Sequence, residues 1–302
     1  MKKLIYIVLG LAAVVACDKV KNPNQNPDAV TSCNITPHVV KTNSLTSNFR
    51  KVLVEDYTGH TCGNCPGAAR NLEGKEAIYK DSLIVMAVHA GNAYAPPELP
   101  DYPDDFRTPS SNDWDQFLGI AGFNPRVCIN RAQNPYPQSP GTLTSLIPLN
   151  LHKAQTVKLD VTTYFDTVKY YLNVKVKTTF KAPFTNNVKL VLAMVQDSII
   201  AHQKDYFPAT GANLCAVGSE SLECVCNYVF NGVCRGTING SWGDLIKAAP
   251  IATNDTTSNY ASCYKVNPYQ NIMSNVKYMS VVAYAYDDVT KEILQTERVK
   301  IK

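Results

Sequence analysis

The spacing of apolar positions divides the chain into two regimes. In the first, short apolar runs bounded by turn residues predict strands at Lys51–Tyr57, Leu83–His89 and Arg126–Asn130. Between and after them, helices are expected from Cys62 to about Lys80, over about 111–119 and over about 142–154. From about residue 156 a two-residue period takes over. Val157–Phe165 alternates, and in Val168–Thr179 one face offers Val168, Tyr170, Leu172, Val174 and Val176 against Lys169, Tyr171, Asn173, Lys175 and Lys177. Val188–Ala201 is apolar on both faces, as a central strand would be. Val276–Tyr286 and Glu292–Ile301 read as a pair joined through Asp287–Thr290. The expected fold is an α/β domain over residues 48–155 followed by an all-β sandwich domain over 156–302.

The first residues carry an address. Met1-Lys2-Lys3 is a positive start, Leu4–Val15 is uncharged and mostly apolar, and Ala16 stands before Cys17. Such a segment is a secretory signal, too short to span a bilayer. Val14-Val15-Ala16-Cys17 also looks like a bacterial lipobox. Residues 1–16 would then be removed and Cys17 acylated, binding the protein to membrane lipid with about 0.8 kcal/mol for each buried CH₂. Residues 17–47, rich in Asn, Pro, Thr and Ser, read as a tether.

Composition narrows the classes. With 45% hydrophobic and 18% charged residues, the 302-residue chain is too apolar for disorder. Lys2 and Lys3 supply half of the formal charge of +4, so the mature chain is nearly neutral. No basic stripe is present, and nucleic acid is excluded as a partner. The remaining nine of ten Cys are an odd number, so at least one is left without an intramolecular partner. Five lie between Cys215 and Cys263, in a turn-rich excursion over 202–272. Structural disulfides are favoured there over zinc, because Cys224-Val225-Cys226 does not match a CxxC knuckle. No metal or cofactor is expected.

The chemistry-bearing segment is Thr58-Gly59-His60-Thr61-Cys62-Gly63-Asn64-Cys65-Pro66. A CxxC between a strand and a helix start places Cys62 among unpaired N–H groups and the positive end of the helix dipole. Both stabilise a thiolate and make Cys62 the attacking sulfur, with Cys65 as the resolving one. The same pair could instead be a stable disulfide. Asp56, six residues before Cys62, matches the spacing of the buried carboxylate of thioredoxins. Pro125, in Gly122-Phe123-Asn124-Pro125 ahead of a strand, occupies the place of their cis-proline and is expected to follow a cis bond. Residues 48–155 therefore resemble thioredoxin. Thr61 replaces the usual Trp, and a proline-rich insertion between Gly91 and Pro109 could lid the site. His60 and His89 are the histidines expected near the sulfurs. A charged His60 would lower the Cys62 pKa, whereas the plainer expectation is a solvent-facing turn residue.

Taken with the lipobox, the segments VLVEDYTGHTCGNCPGAAR, GFNPRVCIN, LVLAMVQDSIIAHQ and NGVCRGTINGSWGD resemble a Bacteroidetes outer-membrane lipoprotein family. That family is called outer membrane protein twenty-eight. The resemblance implies a thioredoxin-like domain with a β-domain, an outer-membrane location and an adhesin or receptor role toward host or envelope proteins. It also draws attention to Asp81-Ser82-Leu83, Asp166-Thr167-Val168, Asp197-Ser198-Ile199 and Asp255-Thr256-Thr257 as short O-glycosylation-like matches. Two functions stay open: a surface binding protein, or an envelope thiol-disulfide oxidoreductase.

Overall fold

The computed structural model describes residues 35–44, 48–120, 122–132, 138–215, 223–266 and 276–302. The signal segment, Cys17, Cys33 and most of the tether lie outside them. The first half runs β1 (Val39–Ser44), β2 (Val52–Thr58), α1 (Cys65–Tyr79), β3 (Leu83–His89), α2 (Pro109–Leu118), β4 (Arg126–Ile129) and α3 (Leu143–Leu151). After these come β5 (Val157–Phe165), β6 (Tyr171–Phe180), β7 (Val188–Gln196), β8 (Ile199–Lys204) and β9 (Cys224–Phe230). The chain closes with β10 (Val233–Thr237), β11 (Asp244–Lys247), β12 (Thr256–Lys265), β13 (Met279–Asp287) and β14 (Ile293–Lys300). This is a mixed α/β protein.

Its main sheet has eight strands in the order β14-β13-β7-β10-β3-β2-β4, with β11 also on β7. β2 and β10 lie parallel to β3, while the other pairings are antiparallel. A four-stranded antiparallel sheet, β1-β5-β6-β12, packs on the β7-β13-β14 end, and β8-β9 form a separate hairpin. The inner faces of those two sheets supply one core, including Val157, Leu159, Phe180, Leu192 and Val281.

Strand alternation decides which side chains of β2 face which layer. Val52 and Val54 pack with Leu72 of α1 and with Leu143 and Ile147 of α3. Leu53 and Tyr57 point the other way, to Trp114 of α2 and Tyr284 of β13. Asp56 therefore shares the α1 side with Val52 and Val54. Glu55 faces the opposite core, where it forms a fully buried pair with Arg131. The Arg131 guanidinium lies 5.7, 5.8 and 5.7 Å from the rings of Trp114, Trp242 and Tyr284.

The join between the halves is made by Gly232 and β10. Ala87 donates to the Gly232 carbonyl at 2.8 Å, and Val233 is in register with Ala87. Gly232 has φ +66, and a Cβ there would come within 2.8 Å of the Val85 carbonyl oxygen, so only glycine fits without a shift.

Three expectations need correction. The apolar run Val188–Ala201 is two strands, broken at Ser198 with φ 57, and its second part turns away to pair with β9. Val168 is 73% exposed and does not belong to the buried face. It sits in a turn where the Asp166 carboxylate accepts the N–H groups of Val168 and Lys169 at 2.9 Å each. The turn-rich excursion also carries more regular structure than its composition suggests, with β9 to β12 all inside it.

Candidate functional site

Helix α1 begins at Cys65 rather than Cys62, with Asn64 as its cap and Pro66 in its first turn, where a missing N–H is harmless. Cys62 lies in the turn before it: its N–H donates to Gly59 at 3.0 Å, and its carbonyl accepts from Cys65 at 3.1 Å. The two cysteines form a disulfide with a Cα–Cα distance of 5.4 Å. They are only 3% and 2% exposed.

Two segments produce that burial. The proline-rich insertion closes one side: the Tyr94 carbonyl accepts from both the backbone N–H and the hydroxyl of Thr61, at 3.1 and 3.0 Å. His60 Nε2 donates to the Pro96 carbonyl at 3.0 Å, and Tyr102 stacks on the His60 ring at 6.0 Å. The other side is closed by the end of β8 and the residues after it. Lys204 donates to the His60 carbonyl at 2.8 Å, and Tyr206 donates to the Gly63 carbonyl at 2.9 Å. The side-chain amide of Gln203 reaches the Cys62 carbonyl at 3.2 Å. Arg70 of α1 binds Asp205 at 2.7 Å. Residues 203–207 thus cross the CxxC turn as a strap. Gly63 lets the strap lie close, because a Cβ there would come within 2.6 Å of the Tyr206 ring and that side chain would have to move.

Beneath the disulfide lies a cavity of about 70 Å³, lined among others by Asp56, Cys65, Glu76, His89, Gln203 and Tyr228. It is polar enough, and large enough, to admit water. Asp56 is buried with Oδ1 lacking a hydrogen-bond partner, and burial pushes its pKa up to about 7. Glu76, farther along α1, is also pushed up to about 7 by burial, with Arg298 opposing. His89 is enclosed by Phe106 and Phe230 at 5.1 and 5.6 Å, and neither ring nitrogen has a partner. Burial holds its pKa well below the ordinary imidazole value.

His60 departs from both expectations made for it. It is buried rather than solvent-facing, and burial lowers its pKa, so it supplies no positive charge to Cys62. Pro125 follows a cis bond from Asn124, and the next residue, Arg126, is in register with Tyr57. The cis peptide is therefore at the end of the sheet from which the Cys62 turn departs. Sequence reasoning missed the strap altogether, since residues 203–207 lie about 140 positions from the turn they cover. Of the glycosylation-like matches, Asp166 caps a turn and Asp197 pairs with Arg298 at 2.6 Å. Both acids have a structural role.

Of the other described sulfurs, Cys128 is in β4 and the rest lie in the second half. Cys215 and Cys224 form a disulfide, Cys263 is disulfide-bonded, and Cys128, Cys226 and Cys234 are free thiols.

A family profile described as outer membrane protein Omp28 matches residues 111–302, nearly two thirds of the chain. The chain belongs to the Omp28 family. Omp28 proteins are outer membrane proteins, and that is this chain's location. Among solved structures, it is similar to HBP35 of Porphyromonas gingivalis, with 18% identity and a TM-score of 0.57 over 84% of this chain and 76% of that one. The two share a fold. A domain of the outer membrane lipoprotein Omp28 from Porphyromonas gingivalis also matches, at 16% identity and a TM-score of 0.29 over 49% of this chain and 88% of that one. Among curated proteins none matches. No described helix of this Omp28-family chain is long and apolar enough to cross a membrane.

Proposed function

We propose that this chain is a lipid-anchored binding protein of the outer membrane. In this reading a thioredoxin-like unit, residues 48–155, and a β-sandwich unit, residues 156–302, carry a surface for host or envelope proteins. Acylated Cys17 holds both to the lipid through the 17–47 tether. The Cys62–Cys65 bridge is a staple and turns nothing over. The observation that carries this is the near-complete burial of both cysteines under the strap and the proline-rich insertion. A redox enzyme must offer its attacking sulfur to a partner chain, and Cys62 is covered on both sides. The deciding measurement is the reduction potential of the pair in mature protein. A value below about −300 mV fits a staple, whereas one between about −270 and −120 mV overturns that role. A broad pull-down with mature protein that recovers no matrix or envelope component would sink the binding role.

A second reading is favoured by one observation, the cavity that Asp56 and Cys65 share. Here the protein is an envelope thiol-disulfide oxidoreductase. Cys62 attacks, Cys65 resolves, Asp56 takes the proton from Cys65, and the backbone at Pro125 receives the substrate chain. Catalysis would then require the strap to open. A Cys65→Ser variant that traps mixed disulfides, with Cys62→Ala inactive in insulin reduction, supports this reading. Equal turnover by Cys62→Ala and wild type removes it.

A further inference from the structure

A second sulfur centre lies beside the first. A ring nitrogen of His202 and the sulfurs of Cys215 and Cys224 are all within 4.8 Å of one another. Tyr102, the ring that stacks on His60, packs directly against this pair of cysteines. Histidine and two cysteines are the donor set of zinc sites that keep a fourth position for another ligand. In the oxidised protein the two sulfurs are bonded to each other and carry no thiolate charge, so they offer zinc little.

We propose that reduction of the Cys215–Cys224 disulfide creates a zinc site formed by His202, Cys215 and Cys224. This goes beyond the binding role argued above and does not depend on it. A dithiol reductant supplies two electrons and two protons: its own disulfide forms, the Cys215–Cys224 bond breaks, and two thiols result. Binding of Zn²⁺ then displaces both thiol protons to solvent, leaving two zinc-thiolate bonds and one zinc-imidazole bond.

Two features hold the ligands ready. The backbone around the cysteines is paired independently of the sulfur bond. Cys215 donates to the Cys224 carbonyl at 2.8 Å, and Cys226 donates to the Asn213 carbonyl at 3.0 Å. Opening the disulfide therefore leaves the two segments side by side. The imidazole is oriented as well. His202 Nδ1 is hydrogen-bonded to the Asp101 carbonyl, which can only accept, so the proton is on Nδ1 and the lone pair on Nε2. A backbone carbonyl on the other ring nitrogen is one of the usual ways a metal-binding histidine is fixed. Cys215 and Cys224 are buried and His202 is half-buried, so the ligands are sheltered but reachable. His202 is followed by Gln203 and Lys204, the residues that close over Cys62, so zinc would also fix the root of the strap.

The test uses mature protein carrying Cys62→Ser, Cys65→Ser and Cys263→Ser, so that Cys215–Cys224 is the disulfide left to reduce among the described residues. It is reduced with a water-soluble phosphine, desalted, and titrated with Co²⁺ and then Zn²⁺. One equivalent of Co²⁺ should bind with a thiolate-to-cobalt charge-transfer band, and Zn²⁺ should displace it. The unreduced sample of the same protein should show no band. His202→Ala should weaken binding by at least about tenfold. Absence of the band after confirmed reduction, or unchanged affinity in His202→Ala, overturns the proposal. Equal binding by reduced and unreduced protein does so as well, and needs no ligand variant to fold.

Discussion

Asp56→Asn separates the cost of burying a carboxylate from everything else the cavity does. In the unfolded chain this carboxyl ionises near 3.8, and in the folded protein burial pushes it up to about 7. Below about pH 4 both states hold the proton and the group is neutral with respect to stability. Between about pH 4 and 7 the unfolded chain has lost the proton while the folded one keeps it. Raising the pH through that window therefore destabilises the fold, by about 1.4 kcal/mol per pH unit. Above pH 7 both states are ionised, and the fold carries the full cost, about 4 kcal/mol. Asparagine has nearly the shape of the protonated acid and no charge to bury. Urea unfolding of oxidised wild type and Asp56→Asn from pH 4 to 9 measures the difference. The variant should gain on wild type across pH 4–7 and stay ahead on a plateau above. Its free amide protons, left without partners in place of the orphan Oδ1, subtract about 1–3 kcal/mol at every pH and leave the slope intact. Glu76 is present in both proteins and cancels. Stability curves that run parallel in pH would show that Asp56 is ionised throughout and that the argument from burial is wrong.

Other perturbations test other parts of the structure. Gly63→Ala places a methyl group against the Tyr206 ring; if this weakens the strap by about 1.4 kcal/mol, reduction of Cys62–Cys65 by a small thiol should quicken about tenfold. An unchanged rate would mean that the strap does not control access. Glu55→Gln leaves the Arg131 charge buried without its partner, and denaturant unfolding should show a loss of about 3–5 kcal/mol. Gly232→Ala sets a side chain at positive φ and against the Val85 carbonyl. The backbone term alone is about 1–2 kcal/mol, and the melting temperature should fall accordingly.

What could be read ahead of the structure was governed by range. β2, β3 and β4 rest on local patterns and are where the pattern placed them, α1 starts at Cys65 rather than Cys62, and the cis bond at Pro125 is the one the thioredoxin resemblance implies. The thioredoxin resemblance implies that Asp56 lies near Cys65, and both line one cavity. The errors came from distant partners. Gln196-Asp197-Ser198 interrupts the apolar run with turn residues, and the break is held by distant partners, Arg298 and the N–H of Gly232, on the Asp197 carboxylate. The burial of His60 depends on insertion residues 36 or more positions later and on a strap from the other half. One error was avoidable. Asp166-Thr167-Val168-Lys169 uses the same turn chemistry as Asp287-Asp288-Val289-Thr290, where the carboxylate again accepts two following N–H groups at 2.9 Å. An Asx-turn reading of the first would have taken Val168 out of the strand.

The place of β10 has a consequence for anyone dividing this molecule. A fragment ending near residue 155 would present β3 with its row of amide and carbonyl groups open along one side, next to the apolar surface that Val233 and its neighbours cover in the intact chain. Open rims of that kind recruit other strands. A truncated first half should accordingly clump or dimerise on expression, and supplying the second half in the same cell should rescue it.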